Sequence, residues 1–161
     1  MYHSITIGNG TGDPVNTWDD WHLIPVSRPF VALPTVNEKT VEIPGRNGVI
    51  DLTTFLTGSP TYGNRKGAWE FYISNPYYLY SDKRFVSDAT NWSSSETAYH
   101  YIADYCNGKM CSIVLEDDPA HSYYGRLSVS LTPDAKYSKI TIGYNLEPYR
   151  IQTSNNKKKL N

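Results

Sequence analysis

A chain of 161 residues, 39% of them hydrophobic, is long enough to bury one core and too short for two full domains. A formal net charge of −1 lacks the basic excess of a dedicated nucleic-acid binder or a membrane-surface protein. No apolar run approaches the length of a bilayer span, and the first residues lack the plan of a signal peptide, so the expected place of folding is a cytoplasm.

In chain order, Ser4–Ile7 is the first predicted strand, and Gly8–Asn16, rich in Gly, Asn, Thr and Asp, is a mobile loop or a hairpin tip. TWDDWHLIP at Thr17–Pro25 sets Trp18 and Trp21 around Asp19 and Asp20, where the rings suit core or surface equally. A short strand at Val41–Ile43 leads into IPGRNGVIDLT, Ile43–Thr53, and YGNRKG follows at Tyr62–Gly67. These are loops shaped for geometry. Gly45, Gly48, Gly63 and Gly67 supply positive φ or close backbone approach, and Asn47 and Asn64 are the next best residues for left-handed positions.

Beyond them Trp69, Phe71 and Ile73 alternate with Glu70 and Tyr72, the period of a strand with one buried side. Asn75–Asn91 is irregular, with Tyr77, Tyr78, Tyr80 and Phe85 among charged residues, and reads as a site of chain-specific contact. Ser93 and Glu96 have capping-box spacing; Ala98, Tyr101, Ile102, Tyr105 and Cys106 then recur at helical spacing until Gly108, predicting about three turns of helix. Met110–Leu115 is the next predicted strand, and LEDDP, Leu115–Pro119, a tight turn.

In Tyr123–Leu131, Tyr123, Leu127, Val129 and Leu131 share one face and Tyr124, Arg126, Ser128 and Ser130 the other. Ile140, Ile142, Tyr144 and Leu146 repeat the pattern against Lys139, Thr141, Gly143 and Asn145. From Thr153 the polar TSNNKKKLN predicts disorder, so the expected organisation is one domain over 1–150 and a disordered tail over 151–161. Ten prolines and eleven glycines between short strands favour an antiparallel β-sandwich or partly open barrel with one α-helix.

Little in the sequence carries chemistry. Cys106 and Cys111 lack the spacing of a zinc site and read as reduced core thiols, with a bridge or redox pair the alternative. Glu116, Asp117 and Asp118, with His121 close by, form the best candidate metal or catalytic group. They lack the alternation and distal glutamate of a calcium loop, so a structural turn is expected, with Asp118 bonded to local backbone and Glu116 and Asp117 in solvent or at a subunit contact. Asp19 and Asp20 with Glu116 would serve as a glycosidase pair only if the fold joined them. His3, His22 and His100 have no nucleophile motif near them, and no phosphate loop or dinucleotide fingerprint is present. No catalytic, cofactor-binding or metal-ligating residue is assigned. Fourteen tyrosines and four tryptophans suit a sugar platform, a protein interface or a core, with Trp69 and Tyr144 read as core.

Several blocks in order, YHSITIG, TWDDWHLIP, the two glycine blocks, LEDDP, YYGRLSV and ITIGYNLEPY, resemble the N-terminal domain of the phage distal tail protein family, a siphovirus tail component, over Tyr2–Tyr149. The resemblance implies a β-sandwich with one helix and an extended hairpin, related to tail-tube-like folds. It also implies a homo-hexameric ring at the tip of a long tail, joining the tail tube protein to the tail-tip hub and receptor-binding components around a channel for DNA. The virion protein so implied, made in the host cytoplasm, uses no cofactor, performs no catalysis, reads no nucleic-acid sequence and inserts in no membrane. Members commonly carry a further C-terminal domain, for which these residues leave no room; Asn75–Asn91 is longer than the family pattern. The other functions weighed are a carbohydrate-binding β-sandwich for host-surface adhesion and a small hydrolase using the acidic turn.

Overall fold

The computed structural model describes residues 3–73, 95–134, 138–153 and 158–159. Its strands are Ile5–Gly8 (β1), Val15–Asn16 (β2), Leu23–Pro25 (β3), Thr40–Glu42 (β4), Val49–Asp51 (β5), Arg65–Ile73 (β6), Met110–Leu115 (β7), Asp118–Thr132 (β8), Lys139–Leu146 (β9), Arg150–Gln152 (β10) and Lys158–Lys159 (β11). Among the described residues one helix, Ser95–Cys106 (α1), interrupts them. The mainly β architecture read from the sequence is the observed one, with one helix among the described residues. Asn75–Asn91 and Ser93 lie outside the described residues, so the capping box does too.

A single antiparallel sheet runs in the order β2-β1-β7-β8-β9-β6-β3, with β10 and β11 joined to β8, and β4–β5 forms a separate pair. β2 and β3 are opposite ends of that path, yet residues 17–22 alone connect them, so the sheet must curl to bring its edges together. Cross-strand register fixes which side is inside. Leu127 pairs with Tyr144 and Val129 with Ile142, while Trp69 meets Ile142 and Phe71 meets Ile140, so directly opposed residues share the inward face. Ile5, Ile7, Phe71, Ile113, Ile140, Ile142 and Leu146 are fully buried on it. The outward face carries Lys66, Glu70, Arg126, Ser128 and Asn145.

Helix α1 covers part of the concave face with Ala98, Ile102 and Cys106, a stripe at steps of four residues. Tyr101, expected on this face, is 55% exposed because it falls about a quarter turn from the stripe. Gly108, at φ 70°, ends the helical run, and its N–H donates to Leu127 O (2.7 Å). The thiols are free and buried, and burial pushes Cys106 up to about 12 and Cys111 upward as well, which keeps both protonated.

Local chemistry explains the connections. Asn16 Oδ1 accepts from the N–H of Trp18 and Asp19, and Asp20 accepts from Asn16 N–H, which closes the turn that drops Trp21 into the core against Tyr105 (ring centroids 5.5 Å apart). The β1–β2 tip is pinned to α1: Asn9 Nδ2 donates to Tyr105 O and the Tyr105 hydroxyl to Ile7 O. Gly45 and Gly48 sit at φ 81°, as turn geometry required. Gly63 and Gly67 instead serve close approach, Gly63 to Thr35 Oγ1 and Gly67 to the Tyr144 ring. Asn47 and Asn64 do not take the left-handed conformation; among the described residues the sole non-glycine there is His22, at φ 50°.

Two further expectations change. The β7–β8 turn closes one residue early, with Leu115 opposite Asp118, so Glu116 and Asp117 form the loop while Asp118 and Pro119 begin the strand. Past position 150 the chain keeps pairing: Ile151 opposes Ser122, and Lys158 opposes Ile151, so part of the segment expected as a disordered tail forms a strand beside β10.

Candidate functional site

Between β3 and β6 the chain leaves the sheet as a long arm, residues 26–64. Its stalk is a narrow antiparallel ladder: Gly63 N–H donates to Thr35 O (2.8 Å), Val36 bridges Tyr62, and Asn37 N–H donates to Thr61 O (2.8 Å). Farther out, Leu52 N–H donates to Lys39 O (2.7 Å), and β4 pairs β5 from Thr40 opposite Asp51 to Glu42 opposite Val49. The glycine block is therefore the arm's tip, and it makes the extended hairpin. A side lobe follows β5, held by Phe55 N–H to Leu52 O and Gly58 N–H to Thr54 O.

A two-stranded hairpin has no second layer, so its apolar side chains stay in water. Val49 on the hairpin, Phe55 and Leu56 on its side lobe, and Phe30 and Leu33 at its unpaired root are 56%, 76%, 77%, 69% and 73% exposed, which concentrates the large apolar exposure of the described residues on this arm. Glu38, Lys39, Thr40 and Val41 join Leu52, Phe55 and Leu56 around a shallow groove where the lobe meets β4. Exposed apolar side chains gathered on one projection are the kind of surface that docking contacts use. Sequence reading did not single out Phe30, Leu33, Phe55 or Leu56, because they lie in proline- and glycine-rich runs without helical or strand period. Their signal was an apolar content unusual for such loops.

The carboxylates of the acidic turn are bonded within the chain. Glu116 accepts from Ser4 N–H (2.8 Å) and Ser4 Oγ (3.1 Å), tying the turn to β1. Arg28 donates twice to Asp117, from Nε (2.7 Å) and Nη2 (3.0 Å), and His3 Nδ1 lies 2.9 Å from the same carboxylate. Asp118 was expected to bond local backbone; it meets His121 Nδ1 (2.8 Å) and Arg150 (3.5 Å) instead, because the early turn leaves it in the ladder, facing β10. Among the described residues no three of His, Cys, Asp or Glu are grouped to hold a metal ion. Asp19 and Asp20 belong to the Asn16 turn, Glu116 to Ser4, and His22 packs edge-on to Trp18. Trp21, Trp69 and Tyr144 are core; Trp18 is half-buried.

The Arg28 hydrogen bonds, more than its charge or that of His3, hold the Asp117 carboxyl below its ordinary 3.8. A carboxyl lowered in the folded state stabilises the fold above its ordinary value and loses that contribution as pH falls through the lowered one. The melting temperature of Asp117→Asn should therefore lie below that of the parent at neutral pH, with the gap closing in acid below 3.8. Thermal unfolding from neutral pH into strong acid reads this out, and a gap that widens in acid would contradict it.

The curled antiparallel sheet with a helix against it is a fold similar to that of a solved protein from a phage hub adsorption apparatus. Specifically, the chain is similar to the solved Dit protein of phage SPP1, described as a paradigm of the hub adsorption apparatus of phages infecting Gram-positive bacteria, with TM-score 0.59 and 13% identity. The similarity covers 92% of this chain and 52% of that protein, so the chain spans about half the length of its solved counterpart. No protein-family profile matches the chain. No curated protein matches it either.

Proposed function

We propose that this chain is a structural virion protein of a long-tailed phage or prophage, forming a closed ring at the distal end of the tail between the tail tube and the tail-tip hub. The observation that carries the reading is the arm, whose exposed apolar side chains have no second layer among the described residues, on a fold similar to that of a phage hub adsorption protein. A ring closes when each subunit offers two different complementary patches, and an arm reaching from one copy to the flank of the next is such a heterologous contact. Six copies are proposed from the family resemblance, with the tube protein, the hub and receptor-binding components as neighbours and DNA passing through the channel. The carboxylates of the acidic turn hold strands together, which supports a role without catalysis, metal or cofactor.

Light scattering with electron microscopy, from micromolar to near-millimolar protein, tests this. The expected result is a particle of about six times 18.3 kDa with a central hole. A chain that stays a monomer throughout, with its tube partner present, overturns it.

A further inference from the structure

None of residues 29–33, where the arm leaves the body, belongs to a paired strand. This root is gripped by side chains reaching out of the sheet. Trp69 Nε1 donates to Phe30 O (2.8 Å), the Ala32 N–H donates to the Tyr144 hydroxyl (3.0 Å), and Arg65 Nη1 donates to Ala32 O (3.1 Å). Ala32 thus has both backbone groups held, donor and acceptor, by buried side chains of β6 and β9.

The grips are themselves fixed. Arg65 Nε donates to Pro148 O (3.0 Å) and its guanidinium lies over the Tyr123 ring, 5.5 Å from the centroid. The Trp69 and Tyr144 rings pack at 4.4 Å between centroids and 30° of tilt, so neither turns without displacing the other. Gly67 stands opposite Tyr144 in the ladder, and a side chain there would overlap the hydroxyl end of the tyrosine. The space a glycine leaves is the slot through which Tyr144 reaches Ala32.

We propose that Arg65, Trp69 and Tyr144, with Gly67 opening the way for Tyr144, are positioning residues that set the direction of the arm before any second copy arrives. Strands β6 and β9 each have a neighbour on both sides and pair with each other over eight positions, so the arm inherits the rigidity of the sheet rather than that of a loop. A contact segment already held in one direction forfeits less freedom on association than one that must be ordered by its partner. The consequence for self-association rests on the ring reading above; the anchoring does not.

Tyr144→Phe separates the two, because it deletes the hydroxyl and keeps the ring packed on Trp69. Amide exchange of the Ala32 N–H, followed by NMR in the dilute protein, should speed by about tenfold, with the Asn37 and Gly63 amides of the stalk faster as well. Where the protein self-associates, its dissociation constant should rise by about tenfold. Val129→Ala removes core volume on the same face without removing a hydrogen bond to the root; it should lower the melting temperature while leaving Ala32 exchange and association as in the parent. Ala32 exchange in Tyr144→Phe equal to the parent, or equally fast in Val129→Ala, overturns the proposal. A parent chain that never associates overturns the ring reading, and Ala32 exchange alone then decides the anchoring.

Discussion

Replacing Phe55 and Leu56 together by aspartate is expected to leave the protein folded and monomeric. Both side chains are about three-quarters exposed in the isolated chain, at 76% and 77%, so the fold loses almost no buried area with them. Folding stability should change by less than about 0.5 kcal/mol, as for surface substitutions away from special features. At a subunit contact the same two side chains are worth about 1.5–3 kcal/mol each when fully buried. Losing the pair therefore weakens each contact by about two to four orders of magnitude, before the cost of burying the new charges is counted. Sedimentation velocity beside thermal unfolding gives both numbers. A double variant that assembles like its parent removes the side lobe from the interface.

Gly125→Ala should be the most damaging single-methyl change in the molecule. Gly125 faces Leu146 in the β8–β9 ladder, and a Cβ there overlaps the Asn145 carbonyl oxygen and the Leu146 Cα. Both are backbone atoms of a paired strand, so no side chain can rotate away, and the ladder must bend. The expected cost is about 3 kcal/mol, the upper end of ordinary overpacking, or roughly 6–12 °C in melting temperature for a chain of this length. Gly143→Ala is the matched control. Its Cβ meets only Ser128 Oγ, 2.6 Å away at the end of a rotatable side chain, and should cost under about 1 kcal/mol. Equal melting temperatures for the two variants would show that β9 yields locally at Asn145.

The periodic strands were legible in the sequence. Trp69, Phe71 and Ile73, then Leu127 and Val129, then Ile140, Ile142, Tyr144 and Leu146 were all read inward and are all buried, because side chains alternate strictly across a pleat with one wet face. The helix was legible as far as its core stripe. Tyr101 was misplaced because a tyrosine, with an apolar ring and a polar tip, reads as a core residue even at the margin of the stripe. The turn at Glu116 was legible as a turn, whereas its closing residue was not: the register of a hairpin depends on both strands' other neighbours.

The candidate site was visible only in outline. Gly45 and Gly48 announced a sharp reversal, since positive φ is a local property that glycine alone satisfies freely. That the reversal caps an arm standing clear of the sheet is not local. It depends on β4 and β5 pairing with each other and with no other described strand, which leaves Phe55 and Leu56 without a covering layer among the described residues. The same holds for Gly67, Tyr144 and Ala32, which the sheet joins across 112 residues of sequence between tyrosine and alanine. Sequence by itself determined which residues face the core and where the backbone turns, because alternation and φ are set within a few residues. Only the tertiary structure decided what the arm exposes and what holds its root, because those depend on which distant strands lie side by side.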